Sequence, residues 1–354
     1  MGKYTYTLHD PLKYSDAEIA QLVDLQNTIQ LEALPEDPLT PLDQVIAQFR
    51  AMPARLRRRS VRAWSSDGEF IGSTGIRVDP DHDDNPDMIG GNVTVRADHR
   101  GNGVGTQLLA YFVALAKQEK RTRIVGQTHD RLPAGGAFAE CIGAEKKQWM
   151  HMNHLPIANV DVEKMKRWVA DGPVRADGYE LFGWDGDVPD EYMDDFLAAV
   201  LVMNTAPRDD LEENDFTLTA EQIREQERVG NAAGYVAWQL IARRKSDGAW
   251  AGIHDVTWNP AEPDLVYVGA TGVFPEHRGH ALGKWLKAVM TLRVMQERPN
   301  VTHIRTGNAD SNDAMLGINK EMGYVPFIAS TTWEISTEAA EKWLASKGVQ
   351  LPEV

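Results

Sequence analysis

The chain has 354 residues, 42% hydrophobic and 25% charged, which excludes a mainly disordered protein and suits two domains of ordinary size. Its 37 Lys and Arg stand against 52 Asp and Glu, and the formal charge of -15 repels phosphate backbones and anionic membranes, excluding nucleic acid as a general partner. The lone cysteine, Cys141, excludes an intramolecular disulfide and a multi-cysteine zinc site, so no metal is expected.

The longest apolar run, Phe196 to Met203, is far short of the ~20 residues of a membrane helix. The opening Met1-Gly-Lys-Tyr-Thr-Tyr6 has no apolar core of the signal-peptide type, so a cytoplasmic location is expected. In chain order, residues 4–9 read as a strand, followed by helices at 16–30 and 42–51. Two strands joined by the turn Ser65-Ser-Asp-Gly68 come next, then a strand from Met88 to Val95. Leu108, Tyr111, Phe112 and Leu115 recur at i, i+3, i+4, i+7 and mark a helix. A strand at 123–128 and a short helix closing on Gly143 complete the first half. Residues 158–177 read as a linker between domains 1–157 and 178–354, with a small helix near 162–169 and a break at Gly172-Pro173.

The second half repeats this order. A strand at 179–184 precedes helices at 191–203 and 219–233, then strands about the turn Lys245-Ser-Asp-Gly248. Another strand covers 265–273, and Leu282, Trp285, Leu286 and Val289 mark a helix. A strand at 303–307, a short helix closing on Gly323 and an amphipathic helix at 337–347 end the chain.

The repeat is sharpest in one loop. Val95-Arg-Ala-Asp-His-Arg-Gly-Asn-Gly-Val-Gly105 aligns with Val273-Phe-Pro-Glu-His-Arg-Gly-His-Ala-Leu-Gly283, at an offset of 278 − 100 = 178 residues. An offset of half the chain means a duplicated domain, not a short solenoid unit. A strand that feeds closely spaced glycines and then opens a helix is a device for holding phosphate, because amides converge and the helix terminus adds partial positive charge. The dinucleotide fingerprint needs a different glycine spacing, and the P-loop needs a Gly-Lys-Ser/Thr ending that neither copy supplies.

Arg100-x-x-Gly103-x-Gly105 instead resembles the acetyl-CoA pyrophosphate loop of the GNAT superfamily of N-acyltransferases. Arg278-x-x-Ala281-x-Gly283 matches it with alanine in the middle position. The resemblance implies two tandem α/β (α+β) domains, each a mixed, mostly antiparallel sheet flanked by helices with a splayed central strand pair. It implies acetyl-CoA as cofactor, held in the first half by Val93, Thr94, Val95, Arg100, Gly101, Asn102, Gly103, Val104, Gly105 and Thr106. In the second half the implied positions are Thr271, Gly272, Val273, Arg278, Gly279, His280, Ala281, Leu282, Gly283 and Lys284. Asn308, Asn312 and Asn319 match the asparagines with which family members hold the pantetheine and thiol end. The tyrosine that many members place four residues before the closing glycine, as acid for the leaving thiolate, is replaced by Ala139 and Asn319.

Acyl transfer to an amine needs a proton acceptor, since at a lysine-like pKa only about one amine in 2,500 is neutral at pH 7. A placed carboxylate or histidine contributes roughly 10²–10⁴ in rate. His254 and Asp255 on the strand 251–258, and Tyr267 on the next strand, are the candidates, each weighed against a satisfied polar residue at a strand end. His129 and Asp130 follow the second strand of the first half. The second half, with its asparagine ending intact, is the expected working site. The expected reaction is direct acetyl transfer to a primary amine of a small, cationic, antibiotic-like molecule by a monomer or homodimer. The competing reading is a CoA-binding module that has lost turnover.

Arg55, Arg57, Arg58, Arg59 and Arg62 are read as a solvated helix end leading into a strand, with the cofactor's 3′-phosphate as the competing role. Asp79, Asp81, His82, Asp83, Asp84 and Asp87 lack calcium-loop spacing and read as a solvated hairpin loop, with a cation site as the competing role. Cys141 is expected as a buried packing thiol. Trp238, Trp250, Trp258 and Trp333 are expected as core anchors, with an acceptor pocket as their alternative role.

Overall fold

The computed structural model describes residues 3–354. Two compact units divide the chain. The first is built from residues 1–149, 210–214 and 330–354, the second from 150–209 and 215–329.

In the first unit β1 (Tyr4–His9), β2 (Arg57–Ser65) and β3 (Phe70–Val78) form an antiparallel meander, with Tyr4 opposite Ser65 and Val61 opposite Thr74. The β2–β3 turn is the expected one: the Gly68 N–H donates to Ser65 O, and Gly68 takes a φ of +86° that favours glycine. Before β2 come α1 (Asp16–Ala33), opened by a Ser15/Glu18 capping box, and α2 (Leu42–Ala51). The strand expected over 88–95 is two pieces, β4 (Met88–Gly90) and β5 (Thr94–Val95). β5 pairs with β3, whereas β4 runs parallel to β6 (Arg123–His129), so the chain changes neighbour at 91–93 and the sheet opens there. Gly91 makes the crossing feasible, because any Cβ at that point would collide with the Phe112 ring. α3 (Val104–Gln118) buries Leu108, Phe112, Val113 and Leu115 on a core shared with Val61, Ile71, Ile76 and Ile124. α4 (Pro133–Cys141) follows β6.

The next strand, β7 (Glu145–Pro156), leaves the first unit. Its residues 150–156 pair antiparallel with a strand of the second unit, Met150 opposite Ala309 and Pro156 opposite His303. The expected linker is largely a helix, α5 (Val162–Arg175), whose Gly172 lies against the Trp285 indole, where a Cβ would sit 2.5 Å from the ring. Pro173 is accommodated in the last turn of α5 instead of breaking it.

The second unit continues with β8 (Tyr179–Asp185), α6 (Met193–Val200), α7 (Ala220–Ala232), β9 (Val236–Arg244), β10 (Trp250–Trp258) and β11 (Leu265–Val273). β8 to β11 are successively antiparallel. α8 (Leu282–Glu297), β12 (His303–Ala309) and α9 (Asp313–Met322) complete it. β13 (Val325–Ser336) then enters the first unit, where Ser330 to Ser336 pair antiparallel with β6. The last helix, α10 (Thr337–Ser346), buries Ala340 and Leu344 in the first unit's core.

The boundary expected at 158–177 therefore does not separate the compact units. The closing strand of each sequence repeat serves the other repeat's sheet: Ile124 is opposite Ile335, and Ile304 is opposite Leu155. Sequence similarity marks where the duplication lies, but strand pairing decides which residues form one core.

Other expectations change as well. Arg62 is buried and bonds Tyr14 Oη, Gln21 Oε1 and the Glu18 carbonyl, while Arg55 pairs with Asp79 and Arg57 with Glu119, so this cluster is not a solvated helix end. Asp83 and Asp87 pair with Arg121 and Arg123, and among the described residues no group of acidic, His or Cys side chains could hold a metal ion. Cys141 ends α4 on its outer face and is exposed, not buried. Among the described residues no helix is long and apolar enough to cross a membrane.

Candidate functional site

The repeated loop has the same backbone in both units. Gly101 and Gly103 adopt φ of +72° and +82°, and Gly103 is the residue from which α3 starts. Gly279 (φ +86°) and Ala281 (φ +58°) do the same before α8. Ala281 holds a left-handed conformation costing an L-residue roughly 1–2 kcal/mol, and it keeps the loop shape despite lacking the glycine. Each helix then presents first-turn amides that have no intrahelical acceptor, those of Val104, Gly105 and Thr106 and of Leu282, Gly283 and Lys284. Two tyrosines underpin the loops. Tyr4 Oη lies 3.5 Å from His99 Nδ1, and Tyr179 Oη lies 3.0 Å from His277 Nδ1.

The motif arginines brace the strand that feeds each loop. Arg100 Nε donates to Val95 O, and Arg278 Nε donates to Val273 O. Their remaining donors differ: Arg100 makes a bidentate pair with Glu32, whereas Arg278 donates to the Thr205 hydroxyl. The positive charge at the first loop is thus compensated by a carboxylate, and at the second it is held by a neutral partner.

Behind each loop the central strands part. β11 stays parallel to β12 only over Leu265–Tyr267, and beyond that the two diverge. The opening is a cavity of about 710 Å³ lined by Gly269, Thr271, Gly272 and Val273 on one side and Thr306, Gly307 and Asn308 on the other. Arg278, Gly279, Ala281, Leu282, Gly283 and Lys284 close its loop end, and Asn312 and Ile318 contribute from α9. The first unit has a matching cavity of about 700 Å³. Val93, Thr94 and Val95 face Gly126, Gln127 and Thr128 across it, with Arg100, Gly101, Gly103, Gly105 and Thr106 at the loop end. Trp333, from the end of the chain, also lines it and donates to Thr128 Oγ1 at 2.7 Å.

Several expected residues lie outside these cavities. Asn102 is exposed and folds back on the Arg100 carbonyl, and Val104 is buried core. His280 packs on the Tyr179 ring. Asn319 is buried behind the second cavity, where it donates to Asn308 Oδ1 at 2.7 Å and leaves its own Oδ1 without a partner. With Asn308 Oδ1 so occupied, its Nδ2 remains as the donor available to the cavity. Asn312, by contrast, lines the second cavity and also caps α9, its Oδ1 accepting from Met315 N.

The three proton-transfer candidates lie on β10 and β11. His254 is buried, with Nδ1 2.8 Å from Thr271 Oγ1, and burial together with the nearby Lys287 ammonium drives its pKa down to about 3. It is neutral at any ordinary pH. Asp255 lies at a β-bulge, where its one residue on β10 faces Gly269 and Ala270 on β11. Its Oδ1 accepts the Ala270 N–H at 2.7 Å, and burial lifts its pKa to about 6 in spite of that bond. Gly269 is required there, since a Cβ would collide with the same carboxylate. Tyr267 lies at the point of divergence, with its hydroxyl 3.5 Å from Glu262 Oε2. None of the three lines the cavity directly; Asp255 borders it through Gly269.

Lys287 was invisible to sequence reasoning. It is buried in α8 with no partner for Nζ, and burial lowers its pKa to about 7. Its position reads simply as the polar side of a helix. In the first unit, His129 at the end of β6 lines the cavity, its Nδ1 is buried without a partner, and burial lowers its pKa.

A splayed strand pair, closed by a glycine loop and a buried helix and present twice, defines a tandem protein of the GNAT fold. Residues 20–143 match the Acetyltransferase (GNAT) family model, so the first half carries that family's sequence signature. No curated protein matches it in sequence. Among solved structures it is similar to a tandem GNAT protein from the clavulanic acid biosynthesis pathway, at 23% identity and a TM-score of 0.73 over 94% of this chain and 98% of that one. It is also similar to a GCN5-related N-acetyltransferase from Sphaerobacter thermophilus, at 11% identity and TM-score 0.63 over 94% and 96% of the two chains. These likenesses extend the shared fold to the second half.

Proposed function

We propose that the chain transfers an acetyl group from acetyl-CoA to a primary amine of a small molecule, by direct attack in a ternary complex. The observation that carries this reading is the pair of left-handed loops, each presenting unbonded first-turn amides at the mouth of a slot of about 700 Å³. Such amides suit a diphosphate, and a slot between parted strands suits the extended pantetheine arm. In the second unit Thr271 to Val273 and Asn308 would bond that arm, and Arg278, without a carboxylate partner, would meet phosphate. Asp255 would take the proton of the attacking amine, since a carboxyl near pKa 6 is both ionised at pH 7 and basic enough to accept it. His254 is unsuited to that role, being sealed in the core. The chain's charge of -15 favours a cationic acceptor, acted on by a monomer or homodimer.

One observation favours a second reading, a CoA-binding module without turnover. Ala139 and Asn319 stand where a phenol would protonate the leaving thiolate. Thiol release measured against a panel of amines separates the two. Release with any amine supports transfer, and binding of acetyl-CoA without release for every amine supports the module.

A further inference from the structure

The two cavities are nearly equal in volume but reach different parts of their units. The cavity of the second unit opens towards Met203, Ala206 and Pro207. That of the first is lined, besides Gly91 and Gly126, by Leu109, Phe112, Ile124, Ile142, Ala144 and Ile335. All of these except Ala144 are buried, and all are apolar.

Two differences between the halves explain the contrast. Leu109 and Lys287 hold the sixth position of α3 and α8, and Ala144 and Tyr324 follow the closing glycines Gly143 and Gly323. In the second unit the Tyr324 ring is buried in one cluster with Leu155, Ile304, Met290 and Met322, and Lys287 Nζ lies 5.2 Å from its centre. Leu155 and Ile304 are the register counterparts of Ile335 and Ile124. The space filled by a phenol ring and a lysine stem in one unit is thus left open by a methyl group and a leucine in the other. Protein interiors seldom leave such space unfilled, and an apolar cavity does not hold ordered water.

We propose that the first unit binds a CoA thioester whose acyl group is a medium-length hydrocarbon, lying in this apolar annex. The proposal rests on the reading that the adjoining loop holds the CoA diphosphate, and it adds a ligand class that acetyl transfer does not require. Each methylene moved from water into such an annex is worth about a fourfold gain in affinity. Octanoyl-CoA is therefore expected to bind the first unit at least tenfold more tightly than acetyl-CoA, even with part of the chain unburied.

Calorimetric titration of the full chain with acetyl-CoA, octanoyl-CoA and free octanoate tests this. The natural chain should show one site with the tenfold preference for octanoyl-CoA, and octanoate alone should bind at least a hundredfold more weakly than its thioester. Ala144→Tyr, which copies the second unit, should lower octanoyl-CoA affinity tenfold or more and acetyl-CoA affinity less than threefold. Ala144→Leu should give a smaller loss of the same kind, and a cooperative thermal transition shows that each variant folds. Equal affinities in the natural chain, a preference surviving both substitutions, or octanoate binding as tightly as its thioester overturns the proposal while leaving acetyl-CoA binding intact. If neither thioester binds, the loop reading fails and the proposal with it.

Discussion

The Asp255 carboxylate accepts the Ala270 backbone N–H at 2.7 Å, across the bulge that parts β10 from β11. The bond anchors the strand that lines the second slot, and it leaves the carboxyl with a pKa lifted to about 6. In its proposed role of proton acceptor the group would work only when ionised. The rate of amine acylation should therefore rise with pH through about 6, and Asp255→Asn should remove that limb and lower the rate by roughly 10²–10⁴. A profile unchanged in the variant would assign the proton to another group. The sign for stability is opposite: a carboxyl with a raised folded pKa contributes stability below the ordinary carboxylate range, and this is lost as pH rises through about 6.

Gly269 and Asp255 are coupled by space. Gly269→Ala should force the carboxylate off Ala270 and destabilise the protein by about 1–3 kcal/mol, the usual cost of overpacking. Adding Asp255→Ala should recover part of that loss. The double-mutant cycle, read from denaturant midpoints, should show a coupling of at least about 1 kcal/mol, and additive losses would contradict the contact.

Lys287 is a buried amine with no acceptor. Lys287→Leu, the residue its counterpart in α3 already carries, should stabilise the chain by about 1–3 kcal/mol at neutral pH. A lysine whose folded pKa falls to about 7 from an ordinary value of 10.5 leaves the unfolded chain holding more protons between those values, so the natural protein gains stability as pH rises through that window. The advantage of the variant in Tm should thus be largest below pH 7 and shrink towards pH 10. A constant difference across that range would contradict a charge effect.

The exchanged strands make the halves interdependent. Fragment 1–157 lacks the β13 segment that pairs with β6, and fragment 158–354 lacks the β7 segment that pairs with β12. Each alone should give no cooperative thermal transition, and the two expressed together should restore one. Two independently folded fragments would contradict the pairing.

The duplication, the loops and most of the loop positions that line the cavities were legible because backbone demands leave direct marks in sequence: left-handed positions select glycine, and a helix start after a strand fixes the spacing. Ala281 shows the limit, since it keeps the conformation without the residue that signals it. What was hidden depends on pairing at long range. Nothing local in β7 or β13 says which sheet each joins, and Lys287 becomes conspicuous only when Tyr324 and His254 surround it. The break at Gly91 was hidden for the same reason, as its cause is the ring of Phe112.

Titration of the intact protein with acetyl-CoA tests the two-slot reading most directly. Binding at the second loop should be weakened at least tenfold by Arg278→Glu, which reverses the charge where that reading puts the phosphates, while the first loop keeps its affinity, and the thioester should raise the Tm of the natural chain, because a ligand held only by the folded state stabilises it. No heat of binding and no shift in Tm at millimolar acetyl-CoA would contradict it.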